Sequence, residues 1–310
     1  ILHQAGVPAE ALHLLIGPGS AVGAKLVADP RIGGVMFTGS TETAKFIQQT
    51  LAHRPGPIGL LVAETGGQNA MIVDSSALPE QVVIDIAQSS FNSAGQRCSA
   101  LRVLFVQEEI APRLLTMLKG YMAELTIGDP SLLATDIGPV IDAEALQMLQ
   151  NHFAKMSQQA KLIAQVPMRE SPGGFYFPPT VFELDDLSVL KGEVFGPILH
   201  VVRYKAHDLD KVMDAIASTG YGLTLGVHSR IEATINYITS RMHVGNMYVN
   251  RNVIGAVVGV QPFGGEGLSG TGPKAGGPHY LPRLCVERTI STNTTAVGGN
   301  ARLVSLREDD

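Results

Sequence analysis

The sequence predicts an α/β fold with a parallel-rich sheet, on three observations. Short apolar runs alternate with amphipathic helical periods along most of its 310 residues. Several of those runs end in corners of small residues that open a helix, as at Thr38-Gly39-Ser40. The 34 Gly and 18 Pro are dispersed, so no flexible linker divides the chain into independent modules.

In chain order, Leu12–Ile16 reads as a strand, and Gly17-Pro18-Gly19-Ser20 turns it into a helix through Val22, Leu26 and Val27. Gly34–Thr38 is the next strand, and Gly39-Ser40-Thr41 caps a helix through Ala44, Phe46, Ile47 and Leu51. Leu60–Glu64 is a third strand, ending in Thr65-Gly66-Gly67. Asn69–Asp74 reads as a strand, and Pro79–Ala94 as a helix with Val82, Val83, Ile86 and Ala87 inward. Gly95-Gln96-Arg97-Cys98-Ser99 is a loop or helix end before the strand Leu101–Gln107. Helices Ala111–Leu125 and Ala143–Gln159 follow, then β-like Phe175–Phe177 and Thr180–Phe182. Ile198–Tyr204 is a strand, Asp208–Ser218 and Ile231–Met242 are helices, and Asn246–Asn250 is a strand. The chain is Gly-rich from Gly264 and β-prone around Val286–Thr295. Composition shifts near Gly66 and Gly264 are the candidate boundaries.

Bulk properties narrow the function. The net charge is −5 with no basic stripe, which argues against nucleic acid as a partner. Two cysteines, Cys98 and Cys285, do not make a disulfide scaffold, so a reducing, cytoplasmic setting is expected. Cys285 lies in the apolar stretch Leu281–Val286 and reads as a buried structural thiol. Apolar stretches such as Val253–Val260 fall short of the ~20 residues that a membrane span needs, and no signal peptide opens the chain. Residue 1 is Ile, inside a periodic run, so upstream sequence is expected to be missing.

Five places carry chemistry. Gly17-Pro18-Gly19-Ser20 and Thr38-Gly39-Ser40 each lead into a helix, where backbone N–H groups hold a phosphate or the small residues serve only as turn and cap. Glu64 ends an apolar strand, which suits a general base of raised pKa facing a crevice, or a strand-end carboxylate paired at the surface. Cys98 has Arg97 beside it; a nearby cation or backbone donors would favour its thiolate, and a buried inert thiol is the alternative. Gly265-Glu266-Gly267-Leu268-Ser269-Gly270 fits G-x-G-x-x-G, but Gly272, Pro273, Gly276 and Gly277 follow, so no helix begins there. The nine histidines assemble no metal-ligand spacing, and no G-x-S-x-G or Walker lysine motif occurs.

Together these residues resemble the aldehyde dehydrogenase superfamily across essentially the whole chain. The resemblance rests on Phe37-Thr38-Gly39-Ser40-Thr41, Glu64-Thr65-Gly66-Gly67, Gly95-Gln96-Arg97-Cys98, Glu193-Val194-Phe195-Gly196-Pro197 and Pro262-Phe263-Gly264-Gly265, in that order. Ala63–Ala70 and Gly255–Gly265 look like the branch that oxidises L-glutamate γ-semialdehyde. Ile141-Asp142-Ala143 and Ser291–Asn300 look like the dehydrogenase half of the bacterial bifunctional proline-utilisation enzymes, N-terminally truncated.

The resemblance implies a partial Rossmann-type NAD-binding domain (1–66), a catalytic cysteine domain (67–265), and a substrate-anchor loop and tail with an oligomerisation strand (266–310). It implies Cys98 as nucleophile and Glu64 as the base that activates water. Gly19, Thr38, Gly39, Ser40, Thr65, Gly66, Glu193 and Phe195 would face the cofactor. Arg97, Ser99, Gly267, Ser269 and Gly270 would hold the substrate, with the loop and Ser99 on its α-carboxylate. No metal is implied, and FAD only in an upstream proline dehydrogenase domain outside this chain. A homo-oligomer is expected, while peripheral membrane contact of a full-length protein stays open. The family's oxyanion-binding asparagine and adenosine-ribose lysine would come from sequence ahead of residue 1. Another aldehyde such as succinate semialdehyde, with NAD or NADP, is the alternative, as is a non-catalytic fragment.

Overall fold

The computed structural model describes residues 1–168 and 173–293. It opens with a small α/β unit. A turn of helix at Gly19–Gly23 leads into α1 (Ala24–Ala28), then β1 (Gly34–Thr38), α2 (Thr41–His53) and β2 (Leu60–Glu64). β1 and β2 pair in parallel from Gly34↔Leu60 to Thr38↔Glu64, so both strands end at the same edge. Ser40 caps α2 by accepting from the Thr43 N–H at 3.1 Å. Val27, Ile47 and Leu51 form the small core between helices and strands.

The larger unit follows. Its elements are β3 (Ala70–Val73), α3 (Pro79–Phe91), β4 (Val103–Gln107), α4 (Ala111–Ala123), α5 (Ala143–Gln159), β5 (Lys161–Gln165), β6 (Thr180–Leu184) and β7 (Ile198–Tyr204). Then come α6 (Leu209–Ser218), β8 (Tyr221–Gly222), β9 (Thr224–His228), α7 (Glu232–Arg241), β10 (Asn246–Val249) and β11 (Glu266–Gly267). Seven strands make one sheet in the order β10-β9-β3-β4-β7-β6-β5, parallel except for β5 at the edge. The central strands are apolar on both faces, as a sheet covered on both sides requires; all of β3 and β4 is buried.

Most elements fall where the residue pattern puts them, and the departures have local causes. Leu12–Ile16 forms no strand; it pairs with no other segment among the described residues, and Leu14 and Ile16 are exposed. Phe175–Phe177 is irregular too. The residue pattern predicts neither β9 nor β5. Gly226 breaks the apolar run of β9, yet a Cβ there would press on Val253 and Met71 at 2.9 and 3.1 Å. β5 is a polar-flanked edge strand directly behind α5. Cys285 is exposed, correcting its reading as a buried thiol. Residues 286–293 form no strand, and the rest of the β-prone tail lies outside the described residues. No helix among the described residues is long and apolar enough to cross a membrane.

Leu104 sits fully buried at the middle of β4. Leu104→Ala is expected to cost about 2–5 kcal/mol in denaturant unfolding, whereas Val258→Ala, at an exposed site, should change stability by under about 0.5 kcal/mol.

Candidate active site

Two sheet edges face each other. β1 and β2 end at Thr38 and Glu64, and β3, β4 and β9 begin just after Asn69, Arg102 and Leu223. Cys98 stands between them, on the corner that joins α3 to β4. That corner is conformationally demanding. Ser93 and Ala94 hold φ of 58° and 52°, a left-handed conformation that costs energy for residues with a side chain. At Gly95 (φ 66°) a Cβ would lie 2.3 Å from the Gly196 carbonyl oxygen, so only glycine fits.

Two buried side chains hold the corner. The Asn69 amide donates to the carbonyls of Cys98 (2.7 Å) and Ala100 (2.8 Å), while its oxygen accepts from the Thr224 N–H at 3.1 Å. Arg102, 1% exposed, donates through Nη1 to the Gly95 and Gly196 carbonyls at 2.7 and 3.1 Å. Its Nη2 reaches the Arg97 carbonyl at 3.1 Å and Glu193 Oε1 at 3.0 Å, and its Nε reaches Glu193 Oε1 at 3.3 Å. The Gly67 N–H donates to the other Glu193 oxygen at 3.2 Å. Burial pushes the Glu193 carboxyl up, and Arg102 pulls against it.

The electrostatics around Cys98 reverse the sequence expectation. Burial raises the thiol pKa most, and the Glu193 and Glu64 charges add to the rise, against backbone N–H groups of Ser99 and Cys98 itself. Arg97 brings no relief, because its exposed side chain turns back to Ser93 Oγ at 3.0 Å. The buried cation nearby, Arg102, is already matched by Glu193.

Glu64 has the raised proton affinity expected of a base, about 7, set by burial and opposed by the Gly265 N–H and by Lys274. Its Oε2 accepts from the Gly265 N–H at 3.0 Å, and its Oε1 is buried without a partner among the described residues. The segment 264–271 builds this seat. Thr65 N–H donates to the Ser269 carbonyl (2.9 Å), Thr65 Oγ1 to the Leu268 carbonyl (2.6 Å), and Thr271 N–H to the Ala63 carbonyl (2.9 Å). The segment opens with the short β11, paired antiparallel to β8, and no helix starts there.

A cavity of about 590 Å³ opens beside Cys98. Thr38, Gly39 and Ser40 line one side, at the start of α2. Thr65, Gly66, Glu193 and Phe195 line the other, with Phe195 under the Arg102 guanidinium at 5.1 Å. At Gly66 a Cβ would fall 1.7 Å from Glu193 Oε2, so the glycine keeps that carboxylate in place. The remaining expected residues, Glu64 among them, lie off this cavity's lining. Gly19 sits in the exposed turn ahead of α1, Ser99 is buried beneath the corner, and Gly267, Ser269 and Gly270 belong to the seat of Glu64. The Ser269 hydroxyl is fully buried and accepts from the Gly222 N–H at 3.1 Å.

Several residues of the site escaped the sequence reading. Lys191 and Tyr221 line the cavity, Asn69 and Arg102 hold the corner, and the phenol of Tyr248 is pushed up by burial, with the Cys98 charge adding to the rise and Arg251 opposing it. Arg102 left the clearest signal, a charge inside the apolar run Leu101–Gln107.

Residues 1–290 match the Aldehyde dehydrogenase family. Among curated relatives, "Bifunctional protein PutA" of Klebsiella aerogenes is 58% identical over 93% of this chain, and that of Escherichia coli K12 is 56% identical over 94%. The chain spans 23% of the length of each. "1-Pyrroline-5-carboxylate dehydrogenase" of Geobacillus thermodenitrificans is 38% identical over 94% of the chain, which covers 57% of that protein. A crystal structure of bifunctional proline utilization A superposes with a TM-score of 0.91 at 59% identity, covering 96% of this chain and 30% of that one. A Thermus 1-pyrroline-5-carboxylate dehydrogenase with bound NAD gives 0.85 at 34% identity, covering 91% and 55%. With the family matched over nearly its whole length, this chain belongs to the aldehyde dehydrogenase family.

Proposed function

We propose that this chain is the larger part of the dehydrogenase portion of a longer enzyme, and that it oxidises L-glutamate γ-semialdehyde to L-glutamate with NAD. The observation that carries the reading is a thiol lining a cavity edged by Glu193, with a raised-pKa carboxylate behind that lining and within electrostatic reach of the sulfur. The names of the relatives support the substrate, and the bound NAD of the Thermus protein supports the cofactor. In this reading residues 1–66 are the C-terminal part of the NAD-binding domain, 67–265 the catalytic domain, and 266–310 the substrate loop and tail. A homo-oligomer, a cytoplasmic location and an upstream FAD-dependent proline dehydrogenase domain belong to the same reading.

The cavity suits the nicotinamide end of the cofactor. Its volume is that of a small-molecule site, and Gly66 leaves Glu193 clear to meet ribose hydroxyls. Gly39 and Ser40 at the start of α2 are the candidate pyrophosphate contacts, and Phe195 the flank of the ring. A nicotinamide bound there supplies the hydride acceptor.

The chain's residues do the rest. Cys98 gives up its proton to solvent and its sulfur attacks the aldehyde carbon, forming a C–S bond and an oxyanion. Loss of hydride from that carbon leaves a thioester on Cys98. Glu64 takes a proton from water, the hydroxide adds to the thioester carbonyl, and the C–S bond breaks to release the carboxylic acid and restore the thiol. Ser99, next to the nucleophile, and the loop of Gly267, Ser269 and Gly270 are assigned to the substrate carboxylate, the loop also forming the seat of Glu64.

In the full-length protein, Cys98→Ala should abolish NADH formation. Glu64→Gln should lower steady-state turnover by about 10²-fold or more while sparing the first-turnover burst. Since Glu64 must be ionised to accept a proton, steady-state turnover should rise with pH through about 7, a limb that Glu64→Gln removes. Glutamate semialdehyde should be turned over better than succinate semialdehyde, and the reverse order would favour another aldehyde. Gly66→Ala should displace Glu193 and raise the KM for NAD by about 10-fold or more, read from initial rates.

A further inference from the structure

Lys274 approaches the same carboxylate from behind. An antiparallel bridge between Phe263 and Ala275, with N–H···O distances of 3.0 and 2.9 Å, folds the chain after the Glu64 seat back against Gly264. A Cβ built at Gly264 would lie 2.6 Å from Glu64 Oε1 and 3.1 Å from the Lys274 Cα. One glycine therefore separates the carboxylate from the backbone of the lysine. The half-buried Lys274 side chain donates to the Gly245 carbonyl, and no carboxylate forms an ion pair with it among the described residues. Glu64 Oε1 is buried with no hydrogen-bond donor among the described residues. The Lys274 backbone and the Glu64 oxygen without a donor among the described residues thus flank Gly264, with the ammonium held at the nearby Gly245 carbonyl.

We infer that Lys274 is a positioning residue for the reaction, its ammonium stabilising the ionised form of Glu64 in the glycine-lined seat so that the carboxylate stands ready for thioester hydrolysis. This rests on the reading of Glu64 as the hydrolytic base. The charges around the seat agree with it. Lys274 is the cation whose field reaches Glu64, and Cys98 is the neighbouring ionisable group. From 264–271 the contacts to Glu64 are backbone, and β1 pairs its end with Thr38, which carries no charge. Burial alone would push Glu64 further from the ionised form than it stands; the Gly265 N–H and Lys274 oppose that push.

The lysine's role is separable from a structural one, because a merely structural residue would not move a titration. In the full-length protein, Lys274→Met and Lys274→Gln remove the charge by different side chains, and Lys274→Arg keeps it. The readouts are the pH dependence of steady-state NADH formation and the amplitude of the first-turnover burst. Both neutral variants should shift the acid limb of turnover upward by about one pH unit. The burst at high pH should be retained, and Lys274→Arg should stay within about 0.3 pH unit of the parent. A limb that stays in place in the neutral variants overturns the inference, as does an equal loss of burst and steady-state rate with no shift. Glu64→Gln separates the two levels. If it leaves the limb intact, the reading of Glu64 as the base has failed; if it removes a limb that the neutral variants do not move, only the role of Lys274 has failed.

Discussion

A single buried guanidinium sets the geometry on which the site depends. All five N–H groups of Arg102 are engaged: two with Glu193 and three with the carbonyls of Gly95, Arg97 and Gly196. A cation that deep is stable only when its donors are satisfied; removing its partners would leave an uncompensated charge worth several kcal/mol. The arrangement therefore locks three segments together: the corner bearing Cys98, the carboxylate of Glu193, and the turn Gly196-Pro197. Phe195 follows because its ring rests against the same guanidinium. Shape enforces the lock, since a Cβ on Gly66 or Gly95 would occupy the space of its partners.

Around that lock the two acidic groups have different surroundings and so different tasks. Glu193 faces a matched cation and a backbone N–H and serves as a fixed hydrogen-bond acceptor at the cavity. Glu64 has one backbone donor and one bare oxygen, and it titrates near neutrality. The first environment suits holding a ligand, the second proton exchange. Cys98 lies in the field of both, and burial together with the two carboxylates pushes its thiol up. The left-handed backbone at Ser93 and Ala94 carries the conformational cost of presenting that sulfur at the end of α3.

Much of this was legible in the residues because it is local. Gly34–Thr38 and Leu60–Glu64 announce their strands by apolar run and small-residue ending, and Ser40 announces its cap. Glu64 and Cys98 stand inside short specific motifs. What escaped depends on contacts distant along the chain. β9 carries Gly226, whose reason is the approach of Val253 and Met71. Lys274 reads as a loop lysine until the bridge at Phe263 folds its backbone against Gly264, the glycine that also meets Glu64. Arg97 drew attention because it is adjacent in sequence, yet Arg102, four residues past the cysteine, holds the corner. The strand expected at Leu12–Ile16 has the right composition but no neighbour to pair with among the described residues, and strands are stable only in sheets.

The central claim is covalent catalysis by Cys98, and trapping the intermediate tests it most directly. The full-length protein carrying Glu64→Gln would be mixed with aldehyde and NAD, quenched in acid after one turnover, digested and weighed by mass spectrometry. The account predicts the mass of the acyl group on the peptide containing Cys98 and none on the peptide containing the exposed Cys285. An unmodified Cys98 peptide alongside a full burst of NADH would contradict it.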